Sequence, residues 1–250
     1  MKLALLSDIH ANQLALEACI VHARAQGAQR FAVLGDIVGY GPQPAQVVNA
    51  VRTLAAAGAI VLQGNHDALA VAPPAAARTL DESGAAWTHA RLADDDIAFL
   101  AALPLTAVDG ATFLVHASAD APQRWHYVDN AQRAAASLDA ACADPRVRHV
   151  FGGHVHRQAL YFRGAGRGLM AFEPTPGAAI PVPAHRRWIA TVGSVGQPRD
   201  GNPAAMYATF DATRAELTFH RVAYDHLAAA AAVRAAGLPE SFAWRLERGQ

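Results

Sequence analysis

The sequence predicts an α/β fold, with a parallel β-sheet built by the first half of the chain and antiparallel strands by the second. Three observations carry that expectation. In the first hundred residues, short apolar runs alternate with segments of helical periodicity. From Gln158 onward, short strand-like runs are separated mostly by Gly- and Pro-rich turns. Polar clusters fall directly after several of the strand-like runs, where an α/β sheet places its ligand crevice.

Residues 3–6 form a continuous apolar run, as in a strand buried on both faces. Leu14, Ala15, Ala18, Val21 and His22 recur at helical spacing, so 14–26 reads as a helix closed by Gly27. Residues 31–34 are a second strand. Residues 45–57 are a second helix, started by Pro44 and stopped by Gly58. Residues 60–62 are a third strand, and this β-α-β-α-β order predicts parallel pairing with right-handed crossovers. The pattern is helical from Pro73 to about Leu103. Strands follow at 112–115 and 147–151, with a helix near 130–142 between them. The second half reads as strands at 158–162, 169–172, 188–192, 205–210 and 216–222. Its turns include Gly164-Ala165-Gly166 and Pro174-Thr175-Pro176-Gly177, and 174–183 reads as a loop shaping one rim of a site. A final Ala-rich helix spans 227–236 and stops at Gly237. No internal repeat is present.

A chain of 250 residues suits one large α/β domain, expected to span 1–250. At 52% hydrophobic and 17% charged residues it has the composition of a packed globule and not of a disordered chain. Lys plus Arg equals Asp plus Glu at 21 each, which argues against general nucleic-acid or membrane-surface binding. No apolar run reaches the ~18–20 residues needed to span a bilayer. The apolar start meets Asp8 and His10 too early for a signal peptide, so a cytoplasmic location is expected. Two cysteines, Cys19 and Cys142, are too few for a disulfide framework.

Five clusters carry the chemistry: Asp8-Ile9-His10, Gly35-Asp36, Gly64-Asn65-His66-Asp67, His116, and Gly153-His154-Val155-His156. Singly, each has an ordinary reading as a helix cap, a loop or a core histidine. Together they place five of the twelve histidines directly after strand-like runs, beside Asp, Asn, Gly or another His. Oxygen and nitrogen donors without a thiolate suit divalent Mn, Fe or Zn better than a structural zinc centre.

The order Asp-x-His, Gly-Asp, Gly-Asn-His-Asp, His, Gly-His-x-His resembles the calcineurin-like metallophosphoesterase superfamily. Ser7-Asp8-Ile9-His10-Ala11-Asn12, Gly35 to Pro42 and Gly193 to Gly201 look like its small prokaryotic branch of predicted phosphodiesterases, described as related to diadenosine tetraphosphatases. The likeness runs from residue 2 to about 248. It implies a four-layer αββα sandwich, with two facing sheets, helices outside and metals at the sheet edge. It also implies that Asp8, His10, Asp36 and His156 hold one metal. Asp36 would bridge to a second, completed by Asn65, His116 and His154. His66 would face the substrate without binding metal, with Asp67 behind it.

The implied activity is hydrolysis of a phosphate ester or anhydride by a metal-bound hydroxide. Two divalent ions, less Asp8, Asp36 and one hydroxide, leave about one positive charge, which favours an anionic phosphate ester. His66 would protonate the leaving oxygen or bond to a phosphoryl oxygen. Asp67 would either fix the His66 tautomer or cap the following segment. The Arg residues of the Gly-Asp-x-x-Asp-Arg-Gly and Arg-Gly-Asn-His-Glu motifs of protein phosphatases are absent, with Gln63 at the second. A phosphomonoester dianion profits most from such a clamp, so small phosphodiesters or nucleotide anhydrides are the expected substrates. A phosphomonoesterase is the main rival. A non-catalytic scaffold on the same fold fits less well, because every ligand position is filled. An amidohydrolase would place its His-x-His near the first strand. Arg199 and Arg157 are candidate anion ligands from loops. Tyr40 could stack on a base or pack on a neighbouring helix. Arg124-Trp125-His126-Tyr127 could form an aromatic, basic rim.

Overall fold

A computed structural model describes residues 1–164 and 168–250. Of the expected turn Gly164-Ala165-Gly166, the last two residues lie outside the described residues. The chain begins with β1 (Lys2–Leu6), α1 (Gln13–Ala25), β2 (Arg30–Val33), α2 (Pro44–Ala56) and β3 (Ile60–Val61). There follow α3 (Asn65–Val71), α4 (Leu80–His89), α5 (Asp94–Ala101), β4 (Thr106–Asp109), β5 (Thr112–Val115), a 3-10 turn at Pro122–Arg124, and α6 (Ala131–Ala141). The remainder is β6 (His149–Gly152), β7 (Gln158–Arg163), β8 (Leu169–Phe172), β9 (Ala179–Pro181), β10 (Trp188–Val192), β11 (Ala205–Asp211), β12 (Glu216–Val222), α7 (His226–Ala235) and α8 (Glu240–Arg248).

The strands form two mixed six-stranded sheets, in the orders β3-β2-β1-β11-β12-β9 and β4-β5-β6-β10-β7-β8. The β1–β2 and β2–β3 pairs are parallel, as the alternating first half requires. The second half is not a separate antiparallel unit. Its strands are shared out, with β7, β8 and β10 completing the sheet of β6 and β11, β12 and β9 extending that of β1. One of these pairings, β10 with β6, is parallel.

The period of two in the strands sets the layers. Leu3 and Leu5 of β1, with Ala32 and Leu34, pack between the sheets against Phe151, Ala190 and Phe210. Ala4 and Leu6, with Phe31 and Val33, face the helices and meet Leu16 of α1 and Val48 of α2. The second sheet buries Val150 and Ile189 under Leu138 of α6. Each fully buried side chain of this size contributes ~1.5–3 kcal/mol. The result is the four-layer αββα sandwich.

Two expectations need correction. Helix α1 buries Ala15, Leu16, Cys19 and Ala23, whereas Leu14 and Val21 are exposed. Small side chains allow the helix to approach the sheet, and they outweigh the bulkier stripe. Residues 174–183 do not rim the site; they contain β9, which pairs with Glu216 to Thr218 beside the start of β1, away from the strand ends that carry the polar clusters. Helix α8 follows the last helix expected from the sequence. It packs Phe242 and Leu246 against α7 and Tyr40. None of the described helices is long and apolar enough to cross a membrane.

Candidate metal centre

The loops after β1 and β2 remain zipped together beyond the strands. Leu34 N–H donates to Leu6 (2.8 Å), Asp8 N–H to Gly35 (3.1 Å), His10 N–H to Asp36 (2.9 Å) and Ala11 N–H to Ile37 (2.9 Å). The loop after β10 closes on the same place, with Ser194 Oγ donating to the Asp8 carbonyl at 2.8 Å. These bonds hold Asp8 (φ 53°), His10 (50°) and Asp36 (51°) in the left-handed region that L side chains avoid, where His154 (66°) and His156 (59°) also lie. Each costs ~1–3 kcal/mol, and such residues gather where function demands a geometry. Two glycines of the motifs are required by close approach. A Cβ at Gly153 would strike Ser7 Oγ and Asp8 Oδ2, and one at Gly64 would strike the backbone and carboxylate of Asp36.

Two groups of ligand atoms result. Asp8, His10, Asp36 and His156 form one, and Asp36, His116 and His154 the other, with the atoms of each within 4.8 Å of one another. Asp36 belongs to both. Asn65 joins the second group, its Oδ1 standing 3.1 Å from His116 Nε2. All seven sequence-predicted ligand positions thus lie at the ends of β1, β2, β3, β5 and β6.

The donor chemistry fits cations. Nδ1–H donates to a carbonyl in three rings: His10 to Val38 (3.2 Å), His116 to Leu34 (2.8 Å) and His156 to Gln197 (2.6 Å). In the neutral form of each ring that leaves the lone pair on Nε2, the arrangement of metal-ligating histidines. His10 Nε2 and His156 Nε2 face each other at 3.1 Å, and two lone pairs do not attract. Asp8 Oδ1 and His154 Nε2 are buried without a hydrogen-bond partner. Each carboxylate spends one oxygen on backbone, Asp8 Oδ2 accepting from His154 N–H (2.9 Å) and Asp36 Oδ1 from His66 N–H (2.8 Å). The other oxygen of each faces the imidazoles, with His156 3.1 Å from Asp8 and His116 3.4 Å from Asp36.

Burial opposes ionisation of both carboxylates, but the surrounding histidines overcome it and hold Asp8 and Asp36 well below the usual carboxylate range. Burial pushes His10 well down and His154 down to about 4. It works on His116 too, but the Asp36 carboxylate reverses it and pushes that ring up to about 9. Two anions among mostly neutral imidazoles attract positive charge.

Residues 1–215 match the calcineurin-like phosphoesterase superfamily domain. The chain belongs to that superfamily. It is 37% identical to a metallophosphoesterase from Sphaerobacter thermophilus, whose crystal structure superposes with a TM-score of 0.88 over 100% of this chain and 99% of that one. It is 29% identical to an uncharacterized protein of Methanocaldococcus jannaschii, over 99% of this chain and 98% of the relative. A hypothetical protein from Pyrococcus horikoshii OT3, at 20% identity, shares the fold with a TM-score of 0.77 over 100% of this chain and 98% of that one.

Around these two groups the remaining candidate residues fall as follows. His66 belongs to neither ligand group. Its ring is buried against Tyr40, at 4.4 Å between centroids, and against His10 at 5.1 Å. Asp67 does not orient it. The Asp67 carboxylate instead accepts from Val38 N–H (3.1 Å) and Gly64 N–H (2.9 Å), tying the β2 loop to the start of α3. Burial, reinforced by Asp36, raises that carboxyl to about 7. Tyr40 offers no free face to a base, because His10, His66 and Phe242 surround its ring. Arg157 donates from Nε to the Arg199 carbonyl at 2.8 Å and so braces that loop. The 124–127 segment does form an aromatic edge. Tyr127, half exposed, stacks on His154 at 4.1 Å, and Trp125 meets His116 at 5.8 Å. Arg245, outside every sequence motif, stands over Tyr40 from α8. The apolar pair Phe242 and Leu246 was the available signal for that helix.

Proposed function

We propose that this chain is a phosphoesterase using two divalent ions, of Mn, Fe or Zn, to hydrolyse small phosphodiesters or nucleotide phosphoanhydrides. The observation that carries the reading is the membership of Asp36 in both ligand groups. Asp8, His10, Asp36 and His156 would hold one ion; Asp36, Asn65, His116 and His154 would hold the other. Such a pair of ions, when bound, supplies Lewis acidity toward the phosphoryl group and makes water acidic enough to be a nucleophile at neutral pH.

The protein's own groups do the positioning. Nδ1–H bonds to backbone carbonyls keep three ligand rings aimed by Nε2. The His66 ring stands beside His10 without entering either group, so it is free to donate a proton or a hydrogen bond to an oxygen of the substrate. Tyr40 and Gly39 wall that ring in. Gln63, where protein phosphatases carry an arginine, cannot supply the clamp from which a monoester dianion profits most, which supports diesters or anhydrides. The natural substrate is taken to be a small molecule.

A panel of bis-aryl phosphate, aryl monophosphate, dinucleoside polyphosphates and cyclic nucleotides, each with added Mn²⁺, tests this. A diester or anhydride should exceed the matched monoester in kcat/KM by at least about tenfold, roughly 1.4 kcal/mol of transition-state preference. A monoester preferred over both would overturn the substrate class. Elemental analysis should find two ions per chain, and at most one under excess metal would overturn the dinuclear reading.

A further inference from the structure

Arg199 and Arg245 approach one ring from distant parts of the sequence. Arg199 lies in the loop after β10, and Arg245 in α8. Their guanidinium carbons stand 5.7 Å and 5.4 Å from the centre of the Tyr40 ring. Tyr40 in turn touches His66 and His10, at 4.4 Å and 4.7 Å between centroids. Tyr40 is therefore a shared neighbour of both guanidiniums and of the His10 and His66 rings.

Neither guanidinium is neutralised. Among the described residues, no carboxylate lies within 4.0 Å of either, although Arg221 pairs with Asp200 and Arg234 with Glu240 and Glu247. Arg199 Nη2 donates to Gln197 Oε1 at 2.7 Å. Its Nε, and Nη1 of Arg245, are buried with no partner among the described residues. The exposed Asp81, at the start of α4, acts on Tyr40 and His66 through space but pairs with neither arginine. Buried unpaired N–H donors are rare and ask for an explanation. Guanidinium forks match the oxygens of phosphate. Arg199 also lines an open groove of about 830 Å³, together with Arg157 and Tyr161 and with the acidic Asp129, Glu173 and Asp200.

We infer that Arg199 and Arg245 form a second anion site, for a phosphate adjoining the one that reacts at the metal centre. The groove beyond Arg199 then takes the group that this phosphate carries. The site differs from the absent arginines of the protein phosphatases, which would lie in the loops after β2 and β3. The inference rests on the phosphoesterase reading, so its test includes a readout independent of turnover.

Calorimetric titration of the metal-loaded protein with AMP and with α,β-methylene ADP compares one phosphate with two. The wild type should bind the two-phosphate probe at least about tenfold more tightly, ~1.4 kcal/mol. Arg199→Gln and Arg245→Gln should each remove most of that ratio, and Arg245→Lys should restore part of it. Arg248→Gln, next to exposed Trp244 on the same helix, should behave as wild type. Thermal melting checks that each variant folds, and Arg245→Lys carries the test should Arg245→Gln not fold. In parallel, kcat/KM for a dinucleoside polyphosphate should fall about tenfold more than that for bis-aryl phosphate in the two Gln variants. An unchanged binding ratio in both Gln variants, or a wild type that does not discriminate, overturns the site. So does a larger loss on aryl monophosphate, which would put the guanidiniums on the reacting phosphate. A wild type that turns over no substrate would overturn the phosphoesterase reading alone, and the titration would still decide this one.

Discussion

Asp36 accepts a 2.8 Å hydrogen bond from the backbone N–H of His66 through Oδ1, while its Oδ2 faces the imidazoles of His10 and His116. One carboxylate thus aligns the start of α3, and with it the residue assigned to the substrate, against both ligand groups. Asp8 makes the matching link across the sheets, accepting from His154 N–H. The site is braced by its own ligands, which explains how five of them remain at positive φ.

This double duty separates two substitutions at Asp36. Asp36→Asn keeps an acceptor for His66 N–H but removes a charge, so it should fold and bind less metal. Asp36→Ala removes both, and it should also lose stability, by about 1–3 kcal/mol for the buried N–H left without a partner. Both should be inactive. Elemental analysis and urea unfolding would decide. Equal stability of the two variants would show that the bond to His66 N–H contributes nothing.

Asp67 is a structural tie between loops, and its removal should register in stability. Asp67→Ala leaves the buried N–H groups of Val38 and Gly64 unpaired, at about 1–3 kcal/mol each. Urea midpoints of Asp67→Ala and Asp67→Asn should both fall, the second less. The pH profile of kcat should keep its shape in Asp67→Asn. A shifted profile with unchanged stability would return Asp67 to the role of orienting His66.

The clustering of the candidate ligands was legible in the sequence because each stands after an apolar run, and the ends of parallel strands are where an α/β sheet gathers distant segments. Direction was not legible. His66 and Asp67 are adjacent in sequence, but on α3 consecutive side chains diverge by about 100°. Of the two roles expected for Asp67, orienting His66 or capping the following segment, the bond from Gly64 N–H shows the cap. Helix α3 itself was hidden because its seven residues carry the site's polar chemistry and little apolar period. In α1 nine of the thirteen positions are apolar, so two stripes fit the helical period, and the one with smaller side chains is buried. Strands β4 and β9 are short and weakly buried, and β9 ends in proline. Arg245 was invisible because its meaning depends on α8 meeting Tyr40, a contact between segments some two hundred residues apart.

Tyr40 positions His66 by packing, since no side-chain hydrogen bond to the His66 ring is made among the described residues. Tyr40→Phe keeps the ring and should retain most activity. Tyr40→Ala should keep both metals and lose kcat by about tenfold or more, because small misplacements near reacting groups are costly. His66→Ala should also keep both metals and lose about 10²–10⁴-fold in kcat. Added to His66→Ala, Tyr40→Ala should cause little further loss. Additive losses in the double variant would mean that Tyr40 acts apart from His66.

Away from the candidate metal centre, His220 makes the fold sensitive to acid. Its ring is buried, stacks on Tyr207 at 4.6 Å and lies 2.9 Å from Thr209 Oγ1 through Nε2. His22 faces it at 5.4 Å, and Lys2 shares the same cavity of about 350 Å³, which has no acidic residue in its lining. Burial, then His22 and Lys2, push His220 down to about 4. An unfolded histidine titrates near 6.5. Above about pH 6.5 the ring is neutral in both states, and its contribution to stability is intact. Between about 6.5 and 4 the unfolded chain takes up a proton that the folded chain refuses, so stability falls as pH falls. Solvent at the cavity mouth weakens the effect, to on the order of 1–2 kcal/mol in total. His220→Gln keeps a polar group for Thr209 and removes the titration. Its Tm should therefore fall less than that of the wild type between pH 7 and pH 4.5, and parallel curves would show that His220 takes up its proton equally in both states.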